Sequence, residues 1–185
     1  EMQLLSKDAL QNLMGFKFSK KNLLITFHPA TLEDSSSEEQ IFNLLTALDK
    51  IKDVQFIFTK SNSDIGGRVI NKMIDKYVEL NHKKAISYAS LGRLKYLSLM
   101  KYVDGVIGNS SSGLVEAPSF KIGVVNIGNR QKGRAKSSSV VDCDSSVLGI
   151  EKAIKVIFTN DYKNKILKIS NIYEGKNVSS KILSV

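Results

Sequence analysis

Residues 103–116 read Val-Asp-Gly-Val-Ile-Gly-Asn-Ser-Ser-Ser-Gly-Leu-Val-Glu, an apolar run that passes through a Gly/Ser-rich turn into a second apolar run. The first five residues have the length and composition of a short buried strand, and Leu114–Phe120 can continue as a helix. Where a strand hands over to a helix in this way, backbone N–H groups and hydroxyls converge on the helix N-terminus. That end carries partial positive charge and unsatisfied donors, so it suits a phosphate or diphosphate. Glu116 lies three residues past Gly113, on the first turn, where a carboxylate can accept hydrogen bonds from ribose hydroxyls. The competing reading makes Asn109–Ser112 a plain N-capping loop with nothing bound. The segment is neither a Walker sequence nor a GxGxxG fingerprint, so its surroundings have to decide.

Strand-like and helix-like segments alternate on both sides of it. Leu5–Met14 is an amphipathic helix between a Ser6 cap and a Gly15 stop. Asn22–His28 is a buried-strand run ended by Pro29. Ser36 or Ser37, with Glu38 and Glu39, opens a helix whose Ile41, Leu44, Leu45 and Leu48 follow helical spacing. Val54–Phe58 is the next strand, 62–67 a turn, and Val69–Leu80 a helix with Val69, Ile70, Met73, Ile74 and Tyr77 inward. Ala85–Ala89 is a weaker strand, followed by the helix Leu91–Tyr102. Beyond Phe120 come the strand Ile122–Ile127, a polar loop over Gly128–Ser139, a short strand at Val140–Val141 and a helix over Ser145–Phe158. Residues 161–185 are polar and read as two helical pieces separated by Gly175.

This alternation predicts an α/β domain with a doubly wound, mostly parallel sheet of about six strands covered on both faces, a Rossmann-like arrangement. The expected division is a linker helix over 1–20, the nucleotide-binding domain over 21–160 and a helical tail over 161–185. Ligands of such sheets bind beyond the carboxyl ends of the strands. His28 ends the first strand, Asn62 and Asp64 follow the second, Asn109–Glu116 follow the fourth and Arg130 follows the fifth. Four strand ends presenting polar groups on one edge carry more weight than any single motif.

Composition narrows the classes. The chain has 185 residues, 42% of them hydrophobic and 24% charged, ordinary for a globular domain. No apolar stretch approaches a membrane span and no signal-peptide pattern opens the chain. The single Cys143 excludes an internal disulfide and a multi-cysteine metal site, which suits a reducing cytoplasm. The net charge of +9 comes from 27 basic and 18 acidic residues. Most of the basic residues are lysines scattered along the chain, with Arg130 and Arg134 the only tight arginine pair. Nothing resembles a basic stripe with interleaved aromatics, so a nucleic-acid partner is not expected. A solvated lysine surface with one focused anion site fits better.

Four ordered blocks carry a resemblance: Thr-Phe-His-Pro-Ala-Thr-Leu-Glu (26–33), Asn-Ser-Asp-Ile-Gly (62–66), Ile-Gly-Asn-Ser-Ser-Ser-Gly-Leu-Val-Glu-Ala-Pro (107–118) and Val-Asn-Ile-Gly-Asn-Arg-Gln-Lys-Gly-Arg (125–134). Together they resemble the C-terminal half of UDP-N-acetylglucosamine 2-epimerases, from about Gly15 to the end of the chain. His-Pro-Ala-Thr is similar to the hydrolysing branch, which makes N-acetylmannosamine and UDP for sialic acid synthesis; the non-hydrolysing branch typically has His-Arg-Arg-Glu there. The resemblance implies the second of two Rossmann-like domains in a GT-B arrangement, a homo-oligomeric full-length enzyme, and acid/base carboxylates in an N-terminal domain that this chain lacks. Alone, the chain is therefore expected to be inactive.

The same resemblance places Ser110 and Ser111 on the UDP diphosphate and Glu116 on the ribose. It also places Arg130 on an anionic group, Asn62 beside the ligand and Leu91 where backbone meets the uracil edge. A surface salt bridge is the alternative for Arg130, a turn residue for Asn62, and plain core for the Leu91 side chain. His28 would act on the departing diphosphate as UDP is eliminated across C1–C2 and water adds to the glycal; its alternative is a structural histidine. No metal or other cofactor is implied. Other readings are a GT-B glycosyltransferase C-domain, an epimerase of UDP-diacetylbacillosamine, and a non-catalytic nucleotide- or nucleic-acid-binding module.

Overall fold

The computed structural model describes residues 2–30, 36–62 and 65–174. Six strands, β1 (Asn22–Thr26), β2 (Gln55–Thr59), β3 (Ala85–Tyr88), β4 (Gly105–Gly108), β5 (Gly123–Ile127) and β6 (Val140–Cys143), form one sheet in the order β3-β2-β1-β4-β5-β6. Every pairing is parallel, with Ile25 of β1 opposite Phe58 on one side and Ile107 on the other. Strand order reverses between β1 and β4, so loops leaving these two central strands diverge and open a crevice at their carboxyl ends.

The period-two alternation of strand side chains explains why both faces are covered. Leu23, Ile25, Phe56, Phe58, Ile107 and Val125 point to one face and pack against α2 (Ser37–Asp49), α3 (Ile65–Leu80), α6 (Val147–Ile157) and α7 (Asn160–Leu167). Leu24, Ile57, Val106 and Val124 point to the other face, against α1 (Lys7–Met14), α4 (Gly92–Met100) and the segment after β4. Gly105 and Gly123 let α6 approach closely: a Cβ on either would lie 2.8 Å from the Ile157 side chain.

Capping follows the sequence. Ser6, Ser36, Ser146 and Thr159 each accept the N–H three residues on, and Gly15 closes α1 in the left-handed region at φ 67°. α1 is held to the second face by Tyr102 Oη donating to Leu5 O (2.9 Å) and Tyr88 Oη donating to Met14 O (2.6 Å).

Four expectations need correction. The expected helix Leu114–Phe120 is a single α turn, α5 (Ser112–Val115), followed by a 3-10 turn over Ala117–Phe120; Pro118 has no N–H to continue an α run. α3 starts at Ile65, so Gly66 and Gly67 are helical, because burying Ile70, Ile74 and Tyr77 outweighs their low propensity. Val69 is 37% exposed, off that buried stripe. β1 stops at Thr26, and His28 lies two residues beyond it. Asp64, residues 31–33 of the first block, and the tail from Gly175 onward lie outside the described residues; before Gly175 the tail forms α7 and then turns.

Candidate functional site

The end of β4 determines the geometry of the crevice. Gly108 sits at φ 141°, and a Cβ there would collide with the Thr26 carbonyl oxygen. Only glycine lets the ends of β1 and β4 come this close. Asn109, fully buried, uses that proximity: its Oδ1 accepts the His28 N–H (2.8 Å) and its Nδ2 donates to His28 O (2.8 Å). The amide thus clamps the backbone of the post-β1 loop. Asn109 O in turn accepts Gln131 Nε2 (2.8 Å) and Arg130 Nη1 (3.1 Å), so the post-β5 loop is tied to the same point. On its side chain, His28 Nδ1 lies 3.2 Å from Ser61 Oγ, at the end of β2.

The serine loop has a network of its own. Ser112 Oγ donates to Ser110 Oγ (3.1 Å), and the Ser112 N–H also reaches Ser110 Oγ (3.4 Å). Tyr96 Oη is 2.6 Å from Ser112 Oγ and 3.3 Å from Thr26 Oγ1, which is itself 2.8 Å from Thr59 Oγ1. Ser111 stands at the α5 N-cap without a side-chain capping bond. Because α5 is one turn long, its dipole is small, and anion binding here falls to hydroxyls and individual N–H groups.

Glu116 follows that turn at its C-terminal end rather than on its first residues. Its Oε2 is buried without a hydrogen-bond partner among the described residues. Burial raises the pKa of Tyr96, against the lowering effect of its hydrogen bonds to Ser112 and Thr26 and with a smaller raising effect from Glu116, so the phenol keeps its proton. Two other buried acceptors lack partners among the described residues, Gln131 Oε1 and Asn126 Oδ1. All three belong to the carboxyl ends of β4 and β5 or the loops that leave them. Buried acceptors are normally paired, so this edge retains capacity for donors from outside.

Beside it, a cleft of about 350 Å³ opens between the ends of β2 and β3 and the start of α4, lined by Thr59, Ser61, Asn62, Leu91, Arg93 and Tyr96. Leu91 is buried at the N-cap position of α4, and Asn62 is exposed on the rim. The structure therefore brings all seven candidates, His28, Asn62, Leu91, Ser110, Ser111, Glu116 and Arg130, to one edge. Arg130 is exposed and donates to the Asn109 carbonyl rather than to a carboxylate. Sequence reading missed Tyr96, Gln131, Thr26, Thr59 and the clamping role of Asn109. For Asn109 and Gln131 a signal existed, a polar residue directly after a buried strand and another inside the Arg-rich loop; for Tyr96, in the middle of a helix, there was none.

The chain belongs to the UDP-N-acetylglucosamine 2-epimerase family, whose model matches residues 2–185. A GDP/UDP-N,N'-diacetylbacillosamine 2-epimerase (hydrolyzing) of Campylobacter jejuni is 40% identical over 88% of this chain and 42% of its own length. Polysialic acid biosynthesis protein P7 of Escherichia coli is 37% identical over 85% of this chain and 40% of its own. The chain thus spans less than half the length of these relatives. Among solved structures, UDP-GlcNAc 2-epimerase of Methanocaldococcus jannaschii in complex with UDP-GlcNAc and UDP superposes with a TM-score of 0.69 at 15% identity, over 96% of this chain and 48% of that one. That likeness extends to the fold.

Proposed function

We propose that this chain is the nucleotide-binding domain of a hydrolysing 2-epimerase acting on a UDP-linked 2-acetamido sugar. The observation that carries the reading is the buried Glu116 oxygen without a partner among the described residues, at the end of the turn that follows the serine loop, an acceptor suited to ribose hydroxyls. In this reading uracil enters the cleft against Leu91 and Asn62, Glu116 holds the ribose, and Ser110, Ser111 and Arg130 take the diphosphate. Arg130 already points at Asn109 O, so it turns or shares its fork when an anion arrives.

His28 is assigned to the leaving group. As the C2 proton is removed and the C1–O bond breaks, negative charge builds on the departing diphosphate, and a proton or hydrogen bond from the imidazole lowers that barrier. Water then adds across the C1–C2 double bond to give the free 2-epimeric sugar. The groups that move the C2 proton are assigned to an N-terminal domain that closes over the sugar and excludes water. N-acetylmannosamine for sialic acid synthesis is one product consistent with this reading. The 2-epimer of N,N'-diacetylbacillosamine is the second, favoured by the Campylobacter jejuni relative.

The test is UDP release by the full-length enzyme from each of the two UDP-sugars, without an acceptor. Release of UDP with a free 2-epimeric sugar supports the reading, and the faster substrate identifies the sugar. Release only when an acceptor is present would instead indicate a glycosyltransferase.

A further inference from the structure

The hydroxyls around the serine loop have a direction. While Ser112 gives its one proton to Ser110 Oγ (3.1 Å), its contact with Tyr96 Oη at 2.6 Å, in which either oxygen can donate, is made with the tyrosine as donor. Ser110 Oγ receives both the hydroxyl and the N–H of Ser112. With those two contacts accepted, its own proton is left for a partner outside this pair. Each hydroxyl that donates in such a chain becomes a better acceptor, and the last becomes a better donor. Burial keeps the phenol protonated, outweighing the opposite effect of its hydrogen bonds to Ser112 and Thr26. Tyr96 also lines the 350 Å³ cleft.

We infer that Tyr96 is a positioning residue: its hydroxyl orders Ser112 and Ser110 so that Ser110 presents a polarised donor to the diphosphate, making this domain prefer a nucleoside diphosphate over the nucleoside. The inference rests on the nucleotide-binding reading above. It assigns Tyr96 no contact with phosphate, only control of the hydroxyl that makes one.

The experiment is calorimetric titration of this chain with UDP and with uridine, using the unaltered protein, Tyr96→Phe, Ser112→Ala and the double variant, each checked by circular dichroism. Tyr96→Phe keeps the ring and removes only the hydroxyl. It is expected to weaken UDP binding about three- to tenfold, the effect of one hydrogen bond, and to leave uridine binding unchanged. Ser112→Ala should do the same, and the double variant should be no worse than the weaker single one, because both cut one chain. If Tyr96→Phe weakens uridine and UDP equally, or neither, or if the losses simply add, the inference is wrong. If Tyr96→Phe does not fold, Ser112→Ala decides by the same split between UDP and uridine. If the unaltered chain binds neither ligand, the nucleotide reading itself falls and takes this inference with it.

Discussion

The two edges of the sheet are both polar, and they use their polarity differently. At the amino edge the groups satisfy one another. Asn22 accepts the Ser19 N–H (2.9 Å), donates to Ser19 O (3.0 Å) and gives its own N–H to Asp104 (2.8 Å). Asp49 accepts both Tyr77 Oη (3.0 Å) and Lys84 Nζ (3.1 Å). This edge also carries the wider hollow, about 570 Å³, bordered by Lys17, Asp49, Lys52, Asp53, Lys83 and Lys84. At the carboxyl edge the hollow is smaller, yet three buried acceptors remain without partners among the described residues. Size and charge would choose the amino edge; unspent hydrogen-bonding capacity chooses the other. The second criterion is the physical one, since an unpaired buried acceptor costs about 1–3 kcal/mol unless something donates to it.

The largest expected effect would break the carboxyl edge outright. Gly108→Ala puts a Cβ into the Thr26 carbonyl at a φ of 141°, and should lower unfolding free energy by about 3 kcal/mol or more in urea titrations. A near-neutral result would mean that β1 and β4 do not meet as described. Next, Asn109→Ala removes both bonds of the His28 clamp and should cost about 2–3 kcal/mol of stability. It should also weaken UDP binding, because the His28 loop loses its anchor, while the Asn109 carbonyl that holds Arg130 and Gln131 remains. The matching change at the other edge, Asn22→Ala, should lower stability and leave UDP binding alone.

Glu116→Ala sharpens the contrast. It should weaken UDP binding by about 1–3 kcal/mol while leaving stability unchanged or higher, because an unpaired buried carboxylate oxygen disappears. Asp49→Ala should behave in the opposite way, losing some stability and no affinity. A change in labelling rate, rather than in stability or affinity, tests the end of β6. Burial, with Asp144 and Asp142 adding to it, pushes the Cys143 thiol at the end of β6 up to about 12. A raised pKa favours the neutral thiol, so at pH 7 iodoacetamide should label it roughly a thousandfold more slowly than an ordinary cysteine. Fast labelling would mean that Cys143 is not buried beside Asp142 and Asp144 as described.

The fold was legible because its signals are local. Largely apolar runs such as Leu23–Phe27 and Val124–Ile127 fit doubly buried strands, and Ser6, Ser36 and Gly15 mark helix ends within a few residues. Where a distant element intervened, local reading failed. Packing of Ile70 and Ile74 against the sheet carried α3 back through two glycines, and Pro118 cut the helix after the serine loop into two turns. The site divides in the same way. Residues standing at strand ends could be placed on one edge from topology alone. The clamp could not, because His28 and Asn109 are 81 positions apart, and neither could Tyr96, whose partners Thr26 and Ser112 come from β1 and α5.

The most direct test is a UDP titration of this chain followed by amide chemical shifts. Perturbations should gather at 28, 61–62, 91–93, 109–112, 116 and 130–131, leave 19–22, 49–55 and 83–84 unmoved, and saturate with weak affinity. Perturbations centred on the 570 Å³ hollow, or none at the carboxyl edge at saturating UDP, would contradict the assignment of the nucleotide to this edge.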